Sequence, residues 1–475
     1  MDQVLYWNAV ALESDRMAHT DIRPGEGGVR GAVGSSRALG IVQLAVHDAY
    51  FGIAGAEHGC WLDEPPVAAE GASVDAAMAV AAHTTLTALY PGQTARLDRA
   101  LREAGVHGPG TGRGCAFGQA VGRAVLKARA ADPALTDEGY VPDPVAPGHR
   151  ADPMEPEQGC YAPHYGARSH CFAVTSRYTL DSPPKTSDPR YLAALREVRA
   201  KGIATAAAAT LPPGFRTRTP AETLAAIFWA YDAARCIGTP PRLYNQIVRE
   251  IATARGNSVA QNARLFALVN AAQADAAILC WDEKYRHNLW RPVLGIREHD
   301  PATGPQATPG QDLDLDADCD PFWEPHGAPR SNDVAANSTP AFPAYPSGHA
   351  ALGAAAFQVT RRFYGVHADG PDTLTDGIGF ISDELDGVST DNRGAIRTRH
   401  SRVFPGGLWQ MIEENGQSRV FLGVHWSFDA YATDARGDMD LSQNIGGVRL
   451  GRDIANDLWA NGLRQGAAAG ARQLG

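Results

Sequence analysis

The sequence predicts a mainly α fold of helical bundles with long irregular loops, on three observations. Consecutive segments open with reciprocal capping signals, apolar residues recur at helical spacing, and no convincing succession of alternating strands is present. Helices are expected at about 37–54, 73–90, 92–105 and 114–131 in the first part of the chain. A further helix is expected over 219–237, where Thr219 can cap, Pro220 suits the first helical position and Glu222 reaches back. The next opens on Thr239 with two prolines and stops at Gly256. Ser258 and Gln261 then repeat the capping arrangement before a long apolar stretch. There Leu265, Leu268, Val269, Ala272, Ala276 and Leu279 fall on one helix face. The last two predicted helices cover 347–365 and 448–465. An N-terminal helical region, 1–257, and a C-terminal helical region, 258–475, are expected to form one compact unit with the chemistry in the second.

The chain has 475 residues, 44% hydrophobic and 20% charged, with a formal charge of −10. That balance argues against nucleic acid or an anionic membrane surface as the main partner. No apolar run reaches the roughly 18 residues that span a bilayer. Asp2 stands where a signal peptide carries positive charge, so a cytoplasmic protein is expected. Seven scattered cysteines without a CxxC pair exclude a disulfide framework or zinc site. Cys160 and Cys171 share a loop and are the pair placed to bridge; free thiols in a reducing compartment are the plainer reading. The tail from Asn461 reads as loosely ordered.

Three short segments carry candidate chemistry. In PSGH, Pro346 to His349, Ser347 caps a helix whose unpaired N–H groups and partial positive charge suit an anion. Gly348 lets a ligand approach the backbone, and the same potential keeps His349 neutral, as a base requires. In KYRHNLWRP, Lys284 and Arg291 lie seven apart, two helical turns, and Pro292 ends or distorts the helix. A point charge and a planar fork suit a tetrahedral or trigonal-bipyramidal oxyanion. In SRVFLGVHWSFDA, Arg419 adds a third cation, Gly423 permits a sharp turn, and His425 precedes Asp429 by four. That carboxylate can fix one ring nitrogen and direct the other outward, as for a metal-binding or nucleophilic histidine.

The ordered blocks KX6RP, PSGH and SRX3GXHX3D resemble the superfamily that joins vanadium-dependent haloperoxidases with phosphatidic-acid-type and bacterial acid phosphatases. All ten motif positions match. Trp281 and the run Phe342 to His349 resemble the vanadium chloroperoxidases, where a Trp and a Phe at these places wall the halide site. The segment 228–248 also looks like bacterial members of that group. The resemblance implies two four-helix-bundle-like halves and a homodimer. It implies vanadate as cofactor, with phosphate able to substitute, held by His425 and fixed through Asp429. Lys284, Arg291 and Arg419 would neutralise its oxygens with help from Ser347 and Gly348. His349 would take a proton from hydrogen peroxide, and Lys284 would polarise the bound peroxide for attack by halide. The implied product is hypohalous acid or its equivalent, from bromide and, on Phe342, chloride, acting on a small organic substrate. The alternatives are an acid phosphatase with a phosphohistidine at His425, or a helical scaffold that only binds an oxyanion.

Three further features accompany these blocks. The acidic run DLDLDADCD, 312–320, lacks the glycine and closing glutamate of a calcium loop and reads as solvated, so calcium is not expected. The long segment 300–346 runs directly into PSGH and is expected to shape the mouth of the site. His47 and Asp48 read as a buried polar pair.

Overall fold

The Asp2 carboxylate accepts from the backbone N–H groups of Val4 and Leu5 and starts helix α1, Gln3–Ala18. The computed structural model describes residues 1–20, 29–55, 59–136, 139–142, 145, 147–298, 318–464 and 470–472. Four helices follow: α2 (Gly31–Ala54), α3 (Val74–Leu89), α4 (Thr94–Glu103) and α5 (Thr111–Ala128). After a largely irregular, proline-rich stretch come α6 (Tyr165–Arg168), α7 (Pro189–Lys201), α8 (Pro220–Phe228), α9 (Pro240–Ala254) and α10 (Val259–His287). The capping boxes at Thr219/Glu222 and Ser258/Gln261 both form as read from the sequence. The chain continues as α11 (Pro292–Glu298), α12 (Gly348–Phe363), α13 (Gly407–Phe421), α14 (Ser427–Ala430) and α15 (Gly447–Asn461). Two-residue strands pair Phe380–Ile381 with Ser401–Arg402 and Ala432–Thr433 with Met439–Asp440, both antiparallel.

The fold is mainly α, and its helices pack as two groups. In one, α2, α3 and α5 pack together; in the other, α12 packs on α15, α13 and α10. The long α10 contacts α2 as well, and buried apolar residues form a single connected core from Val4 to Leu463. α10 is long and apolar enough to cross a membrane by length and composition, although its apolar residues are interrupted by polar ones. It is almost wholly buried inside the protein, as a core helix is.

α12, which carries PSGH, is pinned by the close approach of α15. A Cβ at Gly447 falls 2.4 Å from the Ser347 carbonyl oxygen, and one at Gly451 falls 2.2 Å from that of Ala351 and 2.8 Å from the Ala355 nitrogen. Backbone cannot yield as a flexible side chain does. Gly451→Ala is therefore expected to destabilise the protein by about 1–3 kcal/mol, read from urea unfolding; a loss under about 0.5 kcal/mol contradicts this packing.

Several expectations are corrected. α1, α7 and α13 were not foreseen, and the helix expected over 219–237 stops at Phe228. Beyond it the chain turns with positive φ at Tyr231 (44°), Ala233 (59°) and Cys236 (61°). α10 ends at His287, where Asn288 takes the left-handed conformation, so Arg291 does not share a helix with Lys284. Pro292 opens α11 instead of distorting α10. No disulfide joins Cys160 to Cys171. The tail is partly held: the Arg472 N–H donates to the Ala167 carbonyl at 2.8 Å. The acidic residues 312–317, and with them 300–317 of the long segment, lie outside the described residues. Asp318, at the end of the acidic run, is buried and paired with Arg196. His47 and Asp48 are a buried pair at 2.8 Å, and the Asp48 carboxylate also accepts from the N–H groups of Trp61 and Leu62.

Candidate active site

Most of the candidate residues sit near the end of a helix, where the chain changes direction; Trp281 lies inside α10 and Phe342 in the irregular chain before α12. Lys284 occupies the last turn of α10, and Arg291 directly precedes α11. His349 lies in the first turn of α12, capped by the Ser347 hydroxyl. Arg419 is in the last turn of α13, and Gly423, at φ 75°, turns the chain toward His425. The Trp426 indole N–H donates to the Trp290 carbonyl at 2.9 Å. That bond fixes the residue before Arg291 to the residue after His425, bringing two distant loops together.

His425 is held from both sides. Its Nδ1 lies 2.7 Å from Asp429 Oδ2, which also accepts from the Trp426 N–H at 3.0 Å. The pair forms across the start of α14, not along a continuous helix. Arg291 Nη1 lies 2.9 Å from His425 Nε2 and donates to the Val424 carbonyl at 2.7 Å. With the Nδ1 proton on the Asp429 side, Nε2 carries the lone pair, which is the arrangement for metal coordination. A group bound at Nε2 would take the place of the Arg291 hydrogen bond. Burial pushes Asp429 up to about 7 and His425 well below its usual range, with Arg291 next in lowering the histidine.

His349 Nε2 lies 2.7 Å from the Ala230 carbonyl, which only accepts, so the ring proton is on Nε2 and Nδ1 is the nitrogen free to take another. Burial, reinforced by Arg419, lowers its pKa to about 3. The folded value lies below the ordinary one of about 6.5, so the unfolded chain takes the proton first. This group thus costs stability as the pH falls from about 6.5 toward 3. Nitrogen-15 NMR of histidine-labelled, phosphate-free protein is expected to show His349 as the neutral Nε2–H tautomer at pH 5; an imidazolium there contradicts the assignment.

Arg419 makes a two-pronged ion pair with Asp232, at 2.7 and 3.0 Å, and Asp232 also lies 4.0 Å from His349 Nε2. Sequence reading missed Asp232, because a lone aspartate inside an apparently helical, apolar run carries no local signal. It enters the site only because the helix breaks at Phe228.

Lys284 is fully buried, and its ammonium donates to the carbonyls of Pro343, Ala344 and Pro346 at 2.9, 3.0 and 2.6 Å. Burial lowers its pKa to about 7, and that of Arg291 to about 9. With its three protons engaged, Lys284 acts on an anion as a fixed charge, and donates to one only by releasing a carbonyl. Trp281 and Phe342 pack at 4.9 Å between ring centres. A third ring that the sequence did not single out, Tyr161, stands 6.1 and 6.3 Å from them.

A cavity of about 390 Å³ is lined by Trp281, Phe342, Gly348, His349, Arg419 and His425. The remaining four candidates, Lys284, Arg291, Ser347 and Asp429, are fully buried and do not line it. The described part of the 300–346 segment supplies further wall from Ala328 to Phe342. The residues fit a tetrahedral or bipyramidal oxyanion. Arg291 Nη2 and Arg419 Nε are buried N–H groups with no acceptor among the described residues, a costly arrangement that an anion relieves. A Cβ at Gly348 meets nothing nearer than 3.4 Å, so packing does not require glycine there. Among the described residues no group of three or more His, Cys, Asp or Glu is placed to hold a metal ion. An oxyanion centred on a metal would have His425 as the one imidazole on the described wall oriented by a carboxylate, with Arg291 and Arg419 beside it.

Residues 1–161 match the model for the vanadium chloroperoxidase N-terminal domain, and residues 264–461 that for the vanadium chloroperoxidase second helical-bundle domain. The chain is 34% identical to the vanadium chloroperoxidase of Curvularia inaequalis over an alignment of 578 positions, covering 97% of this chain and 90% of that one. Among solved structures it resembles a bacterial vanadium-dependent iodoperoxidase, with a TM-score of 0.63 and 19% identity over 95% of both chains. A bacterial vanadium-dependent chloroperoxidase in its holo form is similar at TM-score 0.64 and 16% identity, covering 94% of this chain and 95% of that one.

Proposed function

The chain belongs to the vanadium chloroperoxidase family, and from that premise we propose that it oxidises halide with hydrogen peroxide, using vanadate held on His425. The observation that carries this reading is the pairing of a neutral, Asp429-oriented His425 with two buried guanidinium N–H groups that lack acceptors among the described residues. Vanadate, when bound, supplies a Lewis-acidic centre that activates peroxide without changing its own oxidation state.

The protein's own residues do the rest. His425 Nε2 offers its lone pair while Asp429 fixes the ring. Arg291 Nη2, Arg419 Nε and the start of α12 at Gly348 would present N–H groups to the oxygens of the bound anion. His349 Nδ1 accepts a proton from peroxide; the Ala230 carbonyl fixes its tautomer, and burial keeps the ring unprotonated beforehand. Trp281 and Phe342 flank the halide and limit its hydration. Bromide is the substrate we assign first, with chloride on the same wall. Phosphate shares the geometry and is expected to compete for the cradle.

Metal-free protein given orthovanadate, peroxide and bromide is expected to brominate a phenolic dye in proportion to bound vanadate. Cleavage of p-nitrophenyl phosphate by vanadate-free protein, with no bromination after loading, establishes the phosphatase reading instead. Neither activity leaves an oxyanion-binding scaffold.

A further inference from the structure

The cavity that reaches His425 is far larger than peroxide and halide need. A water molecule takes a share of about 30 Å³, so 390 Å³ is room for about a dozen. It falls within the range of sites that bind organic molecules, about 300–1,000 Å³. Tyr161, Tyr231, Trp281, Phe342 and two prolines, Pro240 and Pro340, give it flat apolar walls.

The same cavity is also lined by Arg30 and Arg330. The half-buried Arg30 side chain has no hydrogen-bond or ion-pair partner among the described residues. Arg330 forms an ion pair with Glu155 at 2.9 Å, while its Nε is buried without a partner among the described residues. Gly31 and Ala32 belong to the wall too, and they begin the 24-residue α2, which has no side-chain cap; its positive end adds to the field. Asp232 is the sole acidic residue on the described wall, and Arg419 already holds it. The described wall thus combines aromatic surfaces with more arginines than carboxylates, and among the described residues Arg30 has no counter-charge.

We propose that the organic substrate is an electron-rich aromatic acid, which binds in this cavity with its carboxylate on Arg30 and Arg330 and its ring toward His425. This rests on the haloperoxidase reading and adds to it that halogenation happens within the protein. Halide, peroxide and a proton give hypohalous acid and water: the halide loses two electrons and the peroxide O–O bond takes them. A ring carbon then attacks the halogen, the carbon–halogen bond forms as the oxygen–halogen bond breaks, and the departing hydroxide leaves with the ring proton as water.

The test uses the full chain loaded with orthovanadate. Oxygen release from peroxide that depends on bromide, with no organic present, measures oxidant formation first; its absence overturns both readings. Equimolar 4-hydroxybenzoate and its neutral analogue 4-hydroxybenzamide are then brominated in one vessel, beside a control with reagent hypobromite. The enzyme is expected to favour the carboxylate by at least about tenfold over the reagent, the scale of one charge-assisted hydrogen bond. Arg30→Gln is expected to return the ratio toward the reagent value, and Arg30→Lys to keep part of the excess. The ratio is internal to each vessel, so a poorly folded variant still reports through its active fraction; should Arg30→Gln yield none, Arg330→Gln takes its place. Oxygen release with a ratio equal to the reagent's overturns this inference alone. An excess that survives both glutamine substitutions does the same.

Discussion

Replacing His425 with alanine is expected to abolish bromide oxidation and to weaken vanadate binding by more than about 100-fold, beyond the 10- to 100-fold cost of losing an orienting partner. The side chain is the protein's sole candidate ligand on the described cavity wall that carries a neutral lone pair and a carboxylate behind it. Asp429→Asn, which keeps the shape but weakens the hold on Nδ1, is expected to fall within that smaller range. Steady-state bromination and equilibrium dialysis against orthovanadate check both. If His425→Ala keeps a tenth of the activity, the metal is anchored elsewhere and the assignment fails.

Asp232→Ala is expected to lower the unfolding free energy by about 3–5 kcal/mol, because it strands the buried Arg419 charge. Orthovanadate offers that guanidinium another anion, so the gap between variant and parent is expected to narrow when the ligand is present. Ligand at about 100 times its dissociation constant stabilises any binding-competent form by about 2.7 kcal/mol, and the variant is expected to gain more than the parent. Denaturant titrations of both proteins, with and without orthovanadate, measure it. A loss under about 1 kcal/mol contradicts the view that the pair is a compensated buried charge.

How much of this was legible in the sequence depends on how local the cause was. α8 and α10 were read correctly at their starts because a capping box is written within four residues. α13 was invisible because it begins at Gly407 with no side-chain cap and shows no strong apolar stripe. The break after Phe228 has no local punctuation. It is fixed by where Ala230 and Asp232 must go, against His349 and Arg419, and those partners lie more than a hundred residues away. All ten motif positions can be read from the sequence, yet the helical spacing expected to relate Lys284 to Arg291 does not hold. They meet through a left-handed residue at Asn288 and a new helix, not along two turns of one. Residue types carried the chemistry; long-range packing supplied the geometry.

The three carbonyls around Lys284 bear on how fast a cofactor can be seated. An exposed lysine surrenders about 2 kcal/mol of rotational freedom when it is immobilised. Here the main chain of Pro343, Ala344 and Pro346 has imposed that order while the polypeptide folds. An arriving oxyanion meets a charge whose location is settled beforehand, so its capture involves no conformational search by this residue.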